Sequence, residues 1–257
     1  ELKGHTSALR SAAVSADGVH VVTASDDGTA RVWRLADGEL VRELKGHTDV
    51  VYSAAVSADG VHVVTASDDR TARVWQLADG ELVHELKGHT GAVYSAAVSA
   101  DGVHVVTASD DRTARVWRLA DGELVRELKG HIGAVYSAVL SANGKHVVTA
   151  SVDTTARVWR LADGELVGEL TGHRGPLRSA AVSADGVHVV TASDDGTARV
   201  WRLEGHEPLR DLKGHTGAVY SAAVSADGVH VVTASDDSTA RVWRLADGEL
   251  VHELKGH

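Results

Sequence analysis

Short runs of apolar and small residues, six to eight long, alternate with polar turn clusters along the whole chain. In residues 47–88, VVYSAAVS (Val50–Ser57) stops at Ala58-Asp59-Gly60, and VHVVTAS (Val61–Ser67) stops at the polar corner Asp68-Asp69-Arg70. TARVWQL (Thr71–Leu77) then runs to Ala78-Asp79-Gly80, and ELVHEL (Glu81–Leu86) completes the set. The runs are too short for helices, and Asp-Gly between apolar runs is a strong hairpin signal, so the pattern predicts four β-strands. The first three are apolar or small on both faces, as in a sheet covered on both sides. The fourth alternates, with Leu82 and Leu86 on one face and Glu81 and Glu85 on the other, as expected of an outermost strand at the solvent edge.

The pattern repeats every 42 residues, marked by Gly-His at His5, His47, His89, His131, His173, His215 and His257 and by Trp33, Trp75, Trp117, Trp159, Trp201 and Trp243. The copies are 5–46, 47–88, 89–130, 131–172, 173–214 and 215–256, with no linker between them. A four-stranded meander cannot bury two apolar faces alone, whereas copies stacked face to face can. The expected architecture is all-β: a single β-propeller domain, residues 1–257, with six four-stranded antiparallel blades around a central channel. No stretch keeps a 3.6-residue apolar period, which excludes an α-solenoid. The sixth copy carries its own outer strand (Leu250–Lys255), while Glu1-Leu2-Lys3 reads as the tail of an upstream blade and the chain as an excised piece. A monomeric six-bladed ring is the preferred reading. The alternative is a larger ring with blades missing or shared between chains.

GHTGAVYSAAVSADG (Gly88–Gly102) and VVTASDDRTARVWR (Val105–Arg118) resemble the WD-repeat β-propeller family over the whole chain. Two departures stand out: the Asp after each Trp is replaced by Arg34, Gln76, Arg118, Arg160, Arg202 and Arg244, and the Pro of the first turn is Ala. Carried over to the second copy, the resemblance implies a buried hydrogen-bond network of His47, Ser67, Asp69 and Trp75. The fourth copy keeps His131, Ser151, Asp153 and Trp159 although its preceding residue is Val152, which marks the second acidic position as the structural one. The resemblance also implies a docking face around the channel, where the variable residues Arg10, Tyr52, Tyr94, Tyr136, Arg178 and Tyr220 would form a ring. Tyr and Arg are enriched at binding hot spots.

Composition narrows the chemistry. Among 257 residues, 36 acidic side chains outnumber 26 basic ones for a net charge of −10, which argues against nucleic-acid binding. With no Cys there are no disulfides, thiolate metal sites or cysteine nucleophiles. No apolar run approaches the ~20 residues that span a bilayer, and no targeting segment opens the chain, so no membrane partner and a cytoplasmic setting are expected. The recurring His, Ser and Asp mimic a hydrolase, but the buried network accounts for them. His84-Glu85-Leu86-Lys87-Gly88-His89 has the wrong spacing, on a strand, for a zinc-protease motif. The strand-two histidines (His20 to His230) sit one per blade, too far apart to share a metal. No catalytic residue, metal or cofactor is expected. The leading reading is a non-catalytic protein–protein interaction scaffold or sensor module. Two alternatives stand beside it: a recently amplified or consensus-engineered propeller with no evolved ligand, and a multivalent glycan binder.

Overall fold

Each Asp-Gly turn is held by its own aspartate. Asp59 Oδ1 accepts hydrogen bonds from Ser57 Oγ at 2.6 Å and from the Val61 amide at 2.9 Å, while the Gly60 amide donates to the Ser57 carbonyl at 2.9 Å. At the next turn the Glu81 amide donates to Asp79 Oδ1 at 2.9 Å. A carboxylate bonded to an amide two residues on stands in for a backbone turn, which is the physical reason for Asp at these positions. In a computed structural model, residues 2–256 are described; Glu1 of the amino-terminal stub and His257 of the last Gly-His lie outside them.

The turns generate six four-stranded antiparallel sheets, each with its strands in chain order, and no helix occurs among the described residues. The class is therefore all-β, with six β-propeller blades. Blade one comprises Leu9–Val14, His20–Ser25, Ala30–Arg34 and Leu40–Leu44. Blade two comprises Val51–Val56, His62–Ser67, Ala72–Gln76 and Leu82–Leu86. The remaining first strands are Val93–Val98, Val135–Leu140, Leu177–Val182 and Val219–Val224. Among the described residues no helix is long and apolar enough to cross a membrane.

The chain divides into two compact units, Glu1–Lys129 with blades one to three and Gly130–His257 with blades four to six. Within the first unit, blade one turns Val22, Ala24, Ala30, Val32 and Leu44 towards Val51, Ala54, Val63, Trp75 and Leu77 of blade two. Blade two meets blade three through the equivalent residues. Within the second unit the same pairing joins blade four to five and five to six. The small alanines leave room for the large Trp opposite, and nearly all of these residues are cut off from solvent, as in a close-packed protein core.

The fourth strand departs from the expected alternation. Val74 pairs with His84 but Trp75 pairs with Leu82, so Val83 is an extra residue on its strand. This bulge shifts the phase of the faces. Leu86 is buried at 1% exposure, whereas Leu82 is 46% exposed.

One inter-blade contact has exchanged its partners. The hairpin glycines Gly80, Gly122 and Gly248 face the strand-four side chains of Arg42, His84 and Arg210 in the preceding blade. Between blades four and five the large residue lies on the other side: Gly168 occupies the strand-four position, and a Cβ there would collide with the His206 ring. We predict that Gly168→Arg lowers the urea midpoint by an amount equivalent to ~1–3 kcal/mol, the usual cost of overpacking. Adding His206→Gly should recover most of that loss, because the pair shares one space.

Candidate functional site

Each blade is clasped by a directional chain of hydrogen bonds. In blade two the Trp75 indole N–H donates to Thr65 Oγ1 at 2.9 Å, and Thr65 Oγ1 lies 2.7 Å from His47 Nε2. His47 Nδ1 lies 2.7 Å from Asp69 Oδ2. The neutral tautomer with its proton on Nδ1 satisfies every partner: the Thr65 hydroxyl donates to Nε2, and Nδ1–H donates to the carboxylate. Asp69 ends the chain, also accepting from Thr71 Oγ1 at 2.7 Å, the Thr71 amide at 2.9 Å and the Thr48 amide at 3.2 Å. The same chain recurs in all six blades, including blade four, where Asp153 takes His131 at 2.7 Å.

Of the four residues expected in this network, His47, Asp69 and Trp75 are linked, but the hydroxyl between imidazole and indole belongs to Thr65 rather than Ser67. The sheet register is the reason. Trp75 pairs with Val63, which places the indole beside Thr65, two residues along the same strand face, and Ser67 lies a further two residues away. Ser67 serves the corner instead, donating to the Asp49 carbonyl at 3.3 Å and accepting from the Asp69 amide at 3.2 Å.

Burial alone would raise the Asp69 carboxyl, but hydrogen bonds from His47 and Thr71 outweigh it and hold the group well below the usual carboxylate range. A depressed folded value means the clasp's ionic contribution is complete above about pH 4 and is lost as the pH falls through that value. In blade five, burial pushes His173 down, which favours the neutral imidazole despite the Asp195 carboxylate. Asp69, His47 and Thr65 share the order of a catalytic triad, yet Thr65 is fully buried and its oxygen already holds the indole proton. A nucleophile needs an open approach, so this chain of groups is suited to holding strands and not to attack. We predict that Thr65→Val, which orphans both the indole N–H and His47 Nε2, destabilises by ~1–3 kcal/mol. Ser67→Ala, which removes only long hydrogen bonds at the corner, should cost less in the same urea titration.

The variable Tyr and Arg positions share a structural feature that the sequence does not display. In blade one Leu9 pairs with Ser25 and Ser11 with Ala24, so Arg10 is a bulge residue. The same shift falls at Tyr52, Tyr94, Tyr136, Arg178 and Tyr220. A bulge re-aims the side chain it carries. In the first unit the Arg10 guanidinium lies 5.9 Å from the Tyr52 ring, and the Tyr52 and Tyr94 rings are 5.3 Å apart. In the second unit the Arg178 guanidinium lies 4.9 Å from the Tyr136 ring and 5.7 Å from the Tyr220 ring.

Carboxylates of the strand-two corner orient Arg10, Tyr52, Tyr94 and Arg178. Arg10 grips Asp26 with bonds of 2.5 and 2.8 Å, and Arg178 grips Asp194 with bonds of 2.7 and 2.6 Å. The Tyr52 hydroxyl donates to Asp68 at 3.3 Å, and the Tyr94 hydroxyl to Asp110 at 3.2 Å. Burial and the neighbouring Asp68 charge push the Tyr52 phenol up, so it remains a donor. Two fork-shaped cations and the phenols of Tyr52 and Tyr94 are thus held in preset directions, which lowers the entropy lost when a partner binds.

The residue after the clasp aspartate carries strain. Gly28 and Gly196 take φ of 79° and 80° there, a conformation that glycine adopts freely. The other copies place Arg70, Arg112, Thr154 and Ser238 in the same left-handed region, at φ of 69°, 70°, 72° and 65°. Each L-residue there costs roughly 1–2 kcal/mol, partly offset by the extra freedom glycine has when unfolded. We predict that Arg70→Gly raises stability by ~0.5–1 kcal/mol in chemical denaturation, and that Arg112→Gly, in a different blade, adds to it.

The chain matches the family model described as WD domain, G-beta repeat, over residues 1–34, 38–76, 80–118, 122–160, 164–202 and 206–244. It is also 46% identical over 41 residues to apoptotic protease-activating factor 1 of Rattus norvegicus. That likeness covers 16% of this chain and 3% of the rat protein.

Proposed function

The chain belongs to the WD-repeat family, and from that premise we propose that it is a non-catalytic protein-interaction module docking its partner on the bulge-borne tyrosines and arginines. The observation that carries this reading is the coincidence of three properties at one position. All six bulges bear Tyr or Arg, these side chains touch one another within each unit, and they are among the residues that differ between otherwise near-identical copies. A frame that repeats and a contact surface that varies suit an asymmetric protein partner. WD-repeat proteins generally serve as interaction scaffolds, and the likeness to a short stretch of the rat factor fits an interaction module. The inequality of the six positions disfavours a glycan binder with equal sites. The near-identity of the copies elsewhere favours a second reading, an amplified or consensus-engineered array with no evolved ligand.

Selection of a random peptide library on the immobilised chain separates the two. We expect an enriched peptide family whose affinity falls at least tenfold (~1.4 kcal/mol) in the Tyr52→Ala, Tyr94→Ala double variant and is unchanged in Arg118→Ala. The absence of any enriched family supports the ligand-free array, and binding indifferent to the tyrosine changes overturns the assigned surface.

A further inference from the structure

Two variable positions of the repeat exchange one residue type. Where the strand-one bulge carries Arg10 or Arg178, the corner after the clasp aspartate is Gly28 or Gly196; where the bulge carries Tyr52 or Tyr94, the corner is Arg70 or Arg112. The two placements differ electrostatically. Arg10, on its bulge, is held by both oxygens of Asp26. In blades two and three the corresponding carboxylates, Asp68 and Asp110, receive the Tyr52 and Tyr94 hydroxyls instead. Arg70 and Arg112 are exposed, and among the described residues of the first unit no carboxylate pairs with either.

The neighbourhood of the corner leaves Arg70 free. A Cβ on Gly28 would lie 3.6 Å from the Asp49 carbonyl and 3.9 Å from the His47 carbonyl, so the corner residue stands beside the Gly-His loop of the next blade. The corner of blade one, a glycine, meets a loop bearing Asp49. The same place beside Arg70 is taken by Gly91, which has no side chain to cover the guanidinium or pair with it. Arg70 and Arg112 also hold the left-handed backbone that Gly28 adopts freely, at φ of 69° and 70°. Strain that no internal ion pair offsets points to a role outside the fold.

We propose that Arg70 and Arg112 bind a carboxylate-rich peptide segment of the partner, laid across the Tyr52–Tyr94 pair. This rests on the docking reading above and names the chemistry of the partner. The two rings are 5.3 Å apart, and each hydroxyl is tied to the aspartate two residues before one of the arginines, so both arginines adjoin one aromatic pair. A guanidinium without an internal carboxylate offers its whole fork to an outside one, and that bidentate pair is directional. The rings give the aliphatic stems of the segment an apolar bed. A basic segment fits less well, because Asp68 and Asp110 already accept phenolic hydrogens beside the two free cations. Nucleic acid fits less well too, since the net charge of −10 opposes a long polyanion beyond the reach of these two residues. In the second unit the corners of the Tyr136 and Tyr220 blades are Thr154 and Ser238, so the acidic preference belongs to blades two and three.

Fluorescence anisotropy of the full chain with a fluorescein-labelled hexaglutamate peptide tests this. Hexaglutamate is expected to bind about fivefold more tightly than labelled hexaglutamine at low ionic strength, the scale of two exposed ion pairs, and to lose that advantage as salt is added. Arg70→Ser with Arg112→Ser should abolish the difference. Ser238 shows that serine accepts the same backbone, at φ of 65°, so this variant is expected to keep its fold. Arg118→Ala with Arg160→Ala removes the same charge elsewhere and should leave the preference intact. Equal binding of the two peptides overturns the proposal, as does a preference that survives the serine changes or vanishes in the alanine control. Hexathymidylate binding as tightly as hexaglutamate overturns it also, by showing a site for any polyanion. Library peptides that depend on Tyr52 and Tyr94 but carry no acidic bias overturn the charge assignment alone and leave the docking surface standing.

Discussion

The constraint on which the molecule depends is that an indole N–H and an imidazole, both buried between sheets, must find partners without water. A single threonine hydroxyl satisfies both, accepting from Trp75 and donating to His47. The imidazole passes the polarity on to Asp69, which faces the corner and collects donors from Thr71 and Thr48 as well. The chain of bonds joins two strands, the corner between them and the Gly-His loop, so the third strand, the second strand and the entry to the blade are fixed by one set of protons. Unpaired members would each forfeit ~1–3 kcal/mol, which makes the clasp cooperative.

The clasp also prepares the packing surfaces. Held by its N–H, the Trp75 ring turns its body towards the preceding blade, where Val22, Ala24 and Leu44 receive it. The polar and apolar edges of one side chain thus serve two different contacts, within a blade and between blades. Face pairing buries residues that no single meander covers, and the small alanines opposite the Trp determine how close the blades come. Gly168 and His206 show that the spacing is a property of the pair: the bulk can sit on either side provided the sum is kept.

Much of this was legible in the sequence because it rests on periodicity. The 42-residue repeat of Gly-His and Trp, the Asp-Gly turns and the apolar runs define six blades and their strands without any knowledge of register. What was not legible depends on register. Thr65 and Ser67 lie on one face of the same strand, and only the pairing of Trp75 with Val63 decides which hydroxyl the indole reaches. Thr65 carries its own signal, a hydroxyl invariant among the copies within an apolar run, whereas the family likeness points to Ser67. Leu82 reads as buried by alternation and is exposed, because a bulge at Val83 inserts an unmatched residue. The strand-one bulges are equally invisible in composition, since Arg10 and Tyr52 sit within ordinary strand sequence.

Those bulges explain how a nearly uniform array presents a non-uniform surface. A regular strand residue is committed to one sheet face, where substitution disturbs a neighbouring blade. The bulge residue lies outside the ladder and is not committed to a packed face, although the two copies with Arg carry Leu9 or Leu177 before it where the Tyr copies carry Val. The corner beside it is just as independent: Gly28, Arg70, Thr154 and Ser238 all accept the left-handed turn, at different energetic cost, while the adjoining aspartate keeps its histidine. Strain retained at Arg70 and Arg112, beside the aspartates that orient Tyr52 and Tyr94, adds exposed cations next to the aromatic row. Variation at the bulges and the corners leaves the clasp intact, whereas at Gly168 and His206 it is matched across the contact between two blades.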